Sequence, residues 1–197
     1  MKTLSPQILI LPSNHQLRNS IRAEILGDIR HPSGRLFRTI PPRPANTLLK
    51  QFFNMLNIQM SQTTQYPRTT ANTTPILGPA TTALRCNAAA TSTAYGLLIG
   101  TGTDPVLITD YKLQTQVTAN ITHSAHSYLD ESFGSNGWRF SVIRQFTNAT
   151  GSTVPIAEVA WYTQTGADYY CLDRTAYAVS LPNGKVFTLT YRFSAGS

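Results

Sequence analysis

The stretch Lys185-Val-Phe-Thr-Leu-Thr-Tyr-Arg-Phe193 decides the fold class. Its large apolar residues at 187, 189 and 191 alternate with threonine or arginine at 188, 190 and 192. A period of two places the apolar side chains on one face of a β-strand, where they form a core face. The β-branched threonines also favour a strand over a helix. The stretch therefore predicts a half-buried strand.

Runs of the same kind recur upstream of this stretch, and turn signals separate them. The β-rich runs are Tyr95 to Ile99, Val106 to Thr109, Tyr111 to Val117, Trp138 to Thr147, Val154 to Tyr162, Tyr169 to Val179 and Lys185 to Phe193. Between them lie Gly- and Asn-containing segments that tolerate turns, such as Asn136-Gly137 and Pro182-Asn183-Gly184. About seven short strands in about a hundred residues is the size of a β-sandwich. We predict a mainly β protein whose residues 95–197 form an antiparallel β-sandwich of jelly-roll or immunoglobulin-like type.

The composition agrees with a β-rich protein that makes extensive contacts. Charged residues form only 13% of the 197 residues, against roughly 25% in ordinary soluble domains. Thr contributes 27 residues and Ser 15, and these small hydroxyl side chains favour strands, turns and packed interfaces. The surface predicted from this composition is unlike that of a typical cytoplasmic enzyme.

The net charge of +7 is confined to the first third of the chain. Residues 1–70 hold nine basic and two acidic residues, whereas residues 71–197 hold seven of each. Such an asymmetry is typical of a basic arm that contacts nucleic acid or an acidic protein surface. We therefore predict an extended basic N-terminal arm over residues 1–70, in which six arginines bind a partner: Arg18, Arg22, Arg30, Arg35, Arg38 and Arg43.

Prolines divide this arm into short pieces. Pro6, Pro12, Pro32, Pro41, Pro42 and Pro44 exclude a long helix or a central strand. Gln16 to Leu26 carries apolar residues four apart, which indicates a helix face closed by Gly27. His31-Pro-Ser-Gly34 separates Gly27–Arg30 from Arg35–Ile40 in the manner of a hairpin turn. The lengths of this helix and of the two hairpin strands stay open.

The clearest helix of the sequence is one short amphipathic segment, Asn46 to Met60. Its apolar stripe is too wide to stand in water alone, and Asn46 or Thr47 can cap it. The segment either folds onto the β domain or docks on a neighbouring subunit. Its candidate contact residues are Leu49, Phe52, Phe53 and Leu56, with Leu48, Met55 and Met60 completing the stripe.

Residues 71–94 continue a polar stretch that begins at Ser61. They are rich in Thr, Pro and Ala and show no period. Long irregular segments are uncommon inside compact domains. We predict a linker, or an extended strap that contacts with other chains would order.

No set of residues indicates catalysis or a bound cofactor or metal. Gly100-Thr-Gly102-Thr lacks the ending of a phosphate-binding loop and is expected to be a tight turn. The metal-ligand types at His123, His126, Asp130 and Glu131 lie in a Ser-rich segment that favours a solvated loop. Nothing in the spacing of Asp110, Glu158 and Asp173 places them in one cleft. We expect no enzyme.

Three further features of the sequence are its two cysteines, two arginines of the β-rich region and its short apolar runs. Cys86 and Cys171 are expected to be buried, reduced thiols of a cytosolic chain. Arg144 and Arg174 could pair with Glu158 or Asp173 between strands, or lie on an interface. No run approaches the roughly 18 apolar residues of a membrane span, and Pro12 stops the short run Leu9–Leu11, so neither a membrane partner nor a secretory signal is expected.

A resemblance rests on several segments in a fixed order. They are Gly96-Leu-Leu-Ile-Gly-Thr-Gly-Thr103, Ile108-Thr-Asp-Tyr-Lys-Leu-Gln-Thr-Gln-Val117, Phe140-Ser-Val-Ile-Arg-Gln-Phe-Thr-Asn-Ala-Thr-Gly151, Ile156-Ala-Glu-Val-Ala-Trp-Tyr162, Arg174 and Leu181-Pro-Asn-Gly-Lys-Val-Phe-Thr-Leu-Thr-Tyr191. This order resembles small structural proteins encoded among the virion genes of tailed bacteriophages. It covers residues 95–197 and leaves the first 94 outside.

The resemblance implies a β-rich subunit of a capsid, collar or tail, assembled in the host cytoplasm and located in the virion. The expected partners are further copies of the chain, in a homo-oligomer, and other virion proteins. A chain lacking residues 1–70 should then stay folded and fail to assemble. Two alternatives are kept: binding of DNA by the basic arm, and binding of a receptor or carbohydrate at a tail tip through Trp138, Trp161 and exposed tyrosines.

Overall fold

A computed structural model gives the structure of the protein over residues 22–45, 48–61, 64–78, 84–133 and 137–195. The strands are β1 (Arg22–Arg30), β2 (Leu36–Pro44), β3 (Gly96–Gly100), β4 (Ile121–His123), β5 (Ser127–Phe133), β6 (Gly137–Asn148), β7 (Val154–Thr165), β8 (Asp168–Leu181) and β9 (Val186–Ala195). One helix, α1 (Lys50–Ser61), lies between β2 and β3. The predicted mainly β class with one short helix is confirmed.

The strands form two antiparallel sheets. The larger sheet has six strands in the order β2-β1-β9-β6, and both β4 and β5 pair with the far side of β6. The smaller sheet has the order β3-β7-β8. Apolar residues of both sheets share one core, which includes Ile25, Val142 and Phe187 from the larger sheet and Leu97 and Val159 from the smaller. We call the face of the larger sheet that carries these buried residues the inner face.

The strand predicted at residues 185–193 is β9, and its alternation of buried and less buried residues is confirmed. Phe187, Leu189 and Tyr191 are buried, whereas Thr188 and Thr190 are only partly so. This strand lies between β1 and β6 in the larger sheet. Its apolar residues reach the core from a central position, which explains the strength of the alternation.

Five predicted runs are strands, and two are not. The runs at 106–109 and 111–117 contain no strand, although Gln116 forms an isolated bridge to Gly100. The Gln114 and Thr115 amides bond to the Glu158 side chain, whereas the Val117 amide donates to the Ile99 carbonyl of β3 at 3.0 Å, so the segment forms only isolated bonds to a strand. Conversely, the region expected to be a solvated loop contains β4 and β5, whose apolar residues do not alternate regularly enough to indicate strands.

Residues 22–44 belong to the larger sheet. β1 pairs with β9 along its whole length, so the helix predicted for Gln16–Leu26 is wrong from Arg22 onward. The hairpin turn is confirmed: the Gly34 amide donates to the His31 carbonyl at 2.9 Å, and Gly34 has a φ of 84°. Pro41, Pro42 and Pro44 fit into β2 because it is an edge strand, and because Pro41 and Pro42 lie at a register shift where the ladder with β1 is interrupted.

Helix α1 packs on the smaller sheet of the same chain, as the intramolecular alternative expected. The Leu49 amide donates to the Leu172 carbonyl at 2.7 Å, which fixes the start of the helix on β8. This anchor turns Met55 and Ile58 inward, onto Tyr170 and Leu172. The stripe predicted through Phe53 and Leu56 is therefore wrong, since both are exposed. The capping residues Asn46 and Thr47 lie outside the described residues.

The described parts of residues 71–94 lie against the rest of the chain. Leu77 pairs with Gln65, and Arg85 pairs with Gln164 of β7. Cys86 is buried in the shared core, and Cys171 is buried beside Leu49 and Leu98. Both thiols are free, as expected, and burial raises the pKa of Cys86 to about 12.

Candidate interaction surfaces

A groove of about 510 Å³ opens at the start of β1. Its apolar floor is formed by Phe193 of β9, Phe52 of α1 and Leu48. Phe193 contacts Trp161 edge-on with ring centres 5.4 Å apart, and Phe52 lies 6.4 Å from the same ring. Trp161 thus supports the floor from below. The remaining lining residues are Arg22, Ala23, Glu24, Pro42, Arg43, Pro44 and Ala45.

Several predicted partner-binding residues lie at this groove or beside it. Arg22, Arg43 and Phe52 line the groove, although they are far apart in the sequence. Phe53 and Leu56 are on the solvent side of α1, with Phe53 52% exposed. Leu49 is fully buried beside Leu98 and Leu113, so its prediction as a contact residue is wrong.

The other arginines of the predicted arm are distributed along the hairpin. Arg35 and Arg38 are exposed at or on the edge strand β2. Arg30 bonds both oxygens of Asp28, each at 3.0 Å, which neutralises part of its charge. Arg18 lies outside the described residues. β2 also exposes Leu36 and Phe37, each by 51%, so this edge is both basic and apolar.

A second exposed apolar surface lies at the opposite edge of the larger sheet. Tyr128 of β5 is exposed on the same face as Trp138 and Phe140 of β6, and Leu129 is exposed on the other face of the strand. The Tyr128 and Phe140 rings stack with centres 6.1 Å apart. β5 also carries Asp130, which is exposed, and Glu131, which is bonded by Arg139. No sequence pattern indicated this surface, because Tyr128 and Leu129 are adjacent rather than alternating.

The carboxylates that seemed unrelated in the sequence meet around a buried arginine. Arg174 donates from Nε to Glu158 Oε2 at 2.6 Å and from Nη1 to Asp110 Oδ2 at 2.7 Å. Glu158 also accepts from the backbone amides of Gly102, Gln114 and Thr115. Every charged group is thus bonded, as buried charges require. The cluster fastens the loop after β3 to β7 and β8.

This cluster explains the glycines of the predicted tight turn. A Cβ on Gly102 would lie 2.6 Å from Glu158 Oε1 and 2.3 Å from Gln114 Cβ. Gly100 ends β3 and is equally close to Glu158. The pair of glycines lets a carboxylate approach the backbone, so the expectation of a simple tight turn is wrong.

His123 is buried and His126 is half-buried, so neither lies in the solvated loop that was expected. Burial lowers the pKa of both His123 and His126 to about 4. His126 Nε2 accepts from the Leu97 amide at 2.8 Å, and its Nδ1 lies 3.1 Å from the Ala88 carbonyl, a geometry that suits the neutral ring. Over the residues that the structure describes, no group of three or more His, Cys, Asp or Glu could hold a metal ion.

Arg144 is the second buried arginine, and it pairs with neither Glu158 nor Asp173. It donates to backbone carbonyls of Leu97 at 2.9 Å, Ser124 at 3.0 Å and Ser92 at 2.5 Å. Burial lowers its pKa to about 10. Asp173 instead accepts from the Tyr191 hydroxyl at 2.6 Å and the Thr175 hydroxyl at 3.0 Å.

In comparisons with family models, curated proteins and solved structures, no match to this chain was found. Within the described part of the chain, no helix combines the length and the apolar character that crossing a bilayer requires.

Proposed function

We propose that this chain is a non-enzymatic structural subunit of a tailed-bacteriophage virion, located in a capsid, collar or tail. In this proposal the two sheets are the layers of a β-sandwich of jelly-roll or immunoglobulin-like type. The subunit associates with further copies and with other virion proteins. The observation that carries the proposal is the amount of apolar side chain exposed at both edges of the larger sheet.

Exposed apolar surface of this extent is typical of a protein that covers it with a partner. Leu36 and Phe37 lie at one edge, and Leu129 and Trp138 lie at the other. Single exposed apolar residues need no explanation, but clustered ones mark interaction sites. Edge strands with such side chains are also prone to pair with another chain. Assembly into a particle satisfies both.

The groove supports a role for the arm in the same assembly. Arg22 and Arg43, two arginines of the basic arm predicted over residues 1–70, line this groove. We propose that the arm contacts neighbouring subunits here. The groove floor of Phe52 and Phe193 offers an apolar site for such a contact.

Light scattering and negative-stain microscopy of the full chain test the proposal. We expect rings, tubes or shells, and we expect Phe52→Arg in the groove to reduce their amount. Leu107→Arg, which changes an exposed residue of a remote loop, is the matched control. Monodisperse monomers of the full chain at every soluble concentration would contradict self-assembly.

Nucleic-acid binding is a second candidate, favoured by one observation. β2 and its turn present Arg35, Arg38 and Arg43 on one exposed edge, where they could meet phosphates. Such binding would weaken by about 0.9 log units per log unit of salt for each duplex phosphate neutralised. A gel shift measured at several salt concentrations tests this, and an absent or salt-insensitive shift would exclude it.

Binding of a receptor or carbohydrate is a third candidate, and fewer residues support it. Trp138 is 55% exposed and available for a ligand, whereas Trp161 is packed between Phe52 and Phe193. One exposed tryptophan beside Phe140 could stack on a sugar ring. Binding to a glycan array that Trp138→Ala abolishes would support this alternative, and silence on the array would count against it.

A further inference from the structure

The two outer strands of the larger sheet carry opposite charges. β2, with the turn residue before it, presents Arg35, Arg38 and Arg43, and β5 presents Asp130 next to Glu131, which Arg139 of β6 bonds. Among the residues that the structure describes, β2 pairs only with β1, and β5 pairs only with β6. Each strand therefore has one edge whose backbone groups could pair with another chain.

The side chains of the two edges also match face by face. On β2, Arg38 lies opposite the buried Ile29 and hence on the inner face. On β5, Asp130 lies opposite Phe140, two residues from the buried Val142, and hence also on the inner face. Directly paired residues share a face of a sheet. Arg38 and Asp130 would therefore meet if the two edges were joined.

The outer face offers a second match. Leu36 lies opposite Arg30, and Leu129 lies opposite Ser141, positions that alternate with the inner-face residues. Phe37 sits at a register shift between β1 and β2, which places Leu36 one position before Arg38 in the ladder. With Arg38 beside Asp130, and with Phe37 bulged against β5 as it is against β1, Leu36 falls beside Leu129. One register thus satisfies a charge pair and an apolar pair.

We propose that β2 of one copy pairs with β5 of a second copy, so that the larger sheet continues from subunit to subunit. The inference rests on the proposed function and names its partner and contact. Four antiparallel steps separate β2 from β5, so the two strands run in the same direction and pair in parallel. Pro41, Pro42 and Pro44 limit the pairing to Leu36–Ile40, because proline has no amide donor.

Charge also disfavours the two symmetric alternatives. A two-fold dimer through β2 would bring arginines together, and one through β5 would bring the two copies of Asp130 together. Like charges facing each other across strands are destabilising. A contact between unlike edges leaves one edge unused on each terminal copy, so it builds a closed ring or an open filament. This agrees with a subunit of a ring, tube or shell.

Charge reversal in the full chain tests the contact. Arg38→Asp places acid on both edges, and Asp130→Arg places base on both edges. Each single variant should therefore lose at least about tenfold in association, measured by sedimentation and light scattering. The double variant R38D/D130R restores opposite charges and should assemble again. A mixture of the two single variants should also assemble, since each supplies the edge that the other needs.

Controls keep a loss of assembly apart from a loss of folding. Lys112→Asp and Asp168→Arg make the same charge changes away from both edges and should assemble like the unchanged chain. Thermal melting by circular dichroism checks that every variant folds, and the mixture tests the contact without any further substitution.

The outcomes separate this inference from the proposed function. Full chain that assembles while both single variants assemble equally well would overturn the edge pairing alone. Assembly that the double variant and the mixture both fail to restore would also overturn it. Full chain that never assembles would overturn both the edge pairing and self-assembly.

Discussion

At Arg174, two carboxylates meet one guanidinium inside the protein. Arg174 and Glu158 are each only 1% exposed as side chains, and Asp110 is nearly as well covered. Desolvation of such charges is costly, and the three backbone amides on Glu158 offset part of that cost. Removing one member of the cluster should therefore cost much stability, because the remaining charges stay buried without their partner.

Arg174→Met should destabilise the protein strongly, because it leaves two buried carboxylates without their cation. We expect the free energy of unfolding to fall by about 3–5 kcal/mol. Urea denaturation followed by tryptophan fluorescence measures it. Arg139→Met removes the partner of Glu131 at a half-exposed site and should cost far less. Equal losses in the two variants would show that the buried cluster has no special role.

The buried histidines predict a dependence of stability on pH. Burial lowers the pKa of His123 and His126 to about 4, below the ordinary value of 6.5. Between these values the unfolded chain binds more protons, so stability is complete above pH 6.5 and is lost as the pH falls. After allowance for solvent screening, we expect a loss of about 2–4 kcal/mol by pH 4.

Urea unfolding measured across this range tests the dependence. The His126→Gln variant should show about half of the effect, because only His123 then contributes. An unchanged pH profile in this variant would mean that carboxylates, rather than the histidines, cause the loss. The hydrogen bond from the Leu97 amide to His126 would be the first contact that protonation removes.

At the scale of elements, α1 shows how an anchor overrides an amphipathic pattern. The sequence offers two apolar stripes that overlap on this helix. The hydrogen bond from the Leu49 amide to β8 selects the stripe that contains Met55 and Ile58. Phe53 and Leu56 are left at the surface, where they are available to a partner.

Truncation of the two stripes should therefore have different effects. Met55→Ala removes a fully buried side chain, and we expect a loss of about 2–5 kcal/mol in the free energy of unfolding. Leu56→Ala changes a residue that is 37% exposed and should cost less than about 1 kcal/mol. Chemical denaturation of both variants is the measurement. A larger loss of stability in Leu56→Ala than in Met55→Ala would instead support the stripe predicted from the sequence.

At the scale of the whole molecule, the hairpin β1–β2 joins the N-terminal third to the β fold. Ile25, Ile29 and Ile40 of the hairpin lie in the shared core. β1 also pairs with one edge of β9, which is a central strand of the larger sheet. The hairpin is thus both a part of the core and the carrier of the basic edge.

Truncation at two positions tests this organisation. A chain that starts at Arg22 should stay folded, whereas a chain that starts at Thr70 should lose its cooperative unfolding transition, because β9 and the core lose their partners. This replaces the expectation that the protein stays folded without residues 1–70. Circular dichroism and thermal melting measure both chains. A cooperative transition in the shorter chain would show that the hairpin is dispensable.

Sequence patterns predicted the β class, the strand β9, the hairpin turn at residues 31–34 and a helix within residues 46–60. These features depend on local patterns: alternation, turn residues with positive φ, and apolar spacing. Five of the seven predicted runs are strands for the same reason.

Which side chains meet depends on the tertiary fold. It brought Asp110, Glu158 and Arg174 into one cluster and turned α1 onto Met55. It also placed the basic and acidic edges on opposite sides of one sheet. Such contacts join residues that are distant in the chain, and their energies come from burial and from long-range pairing. A local pattern contains neither of these, because both depend on where the rest of the chain lies.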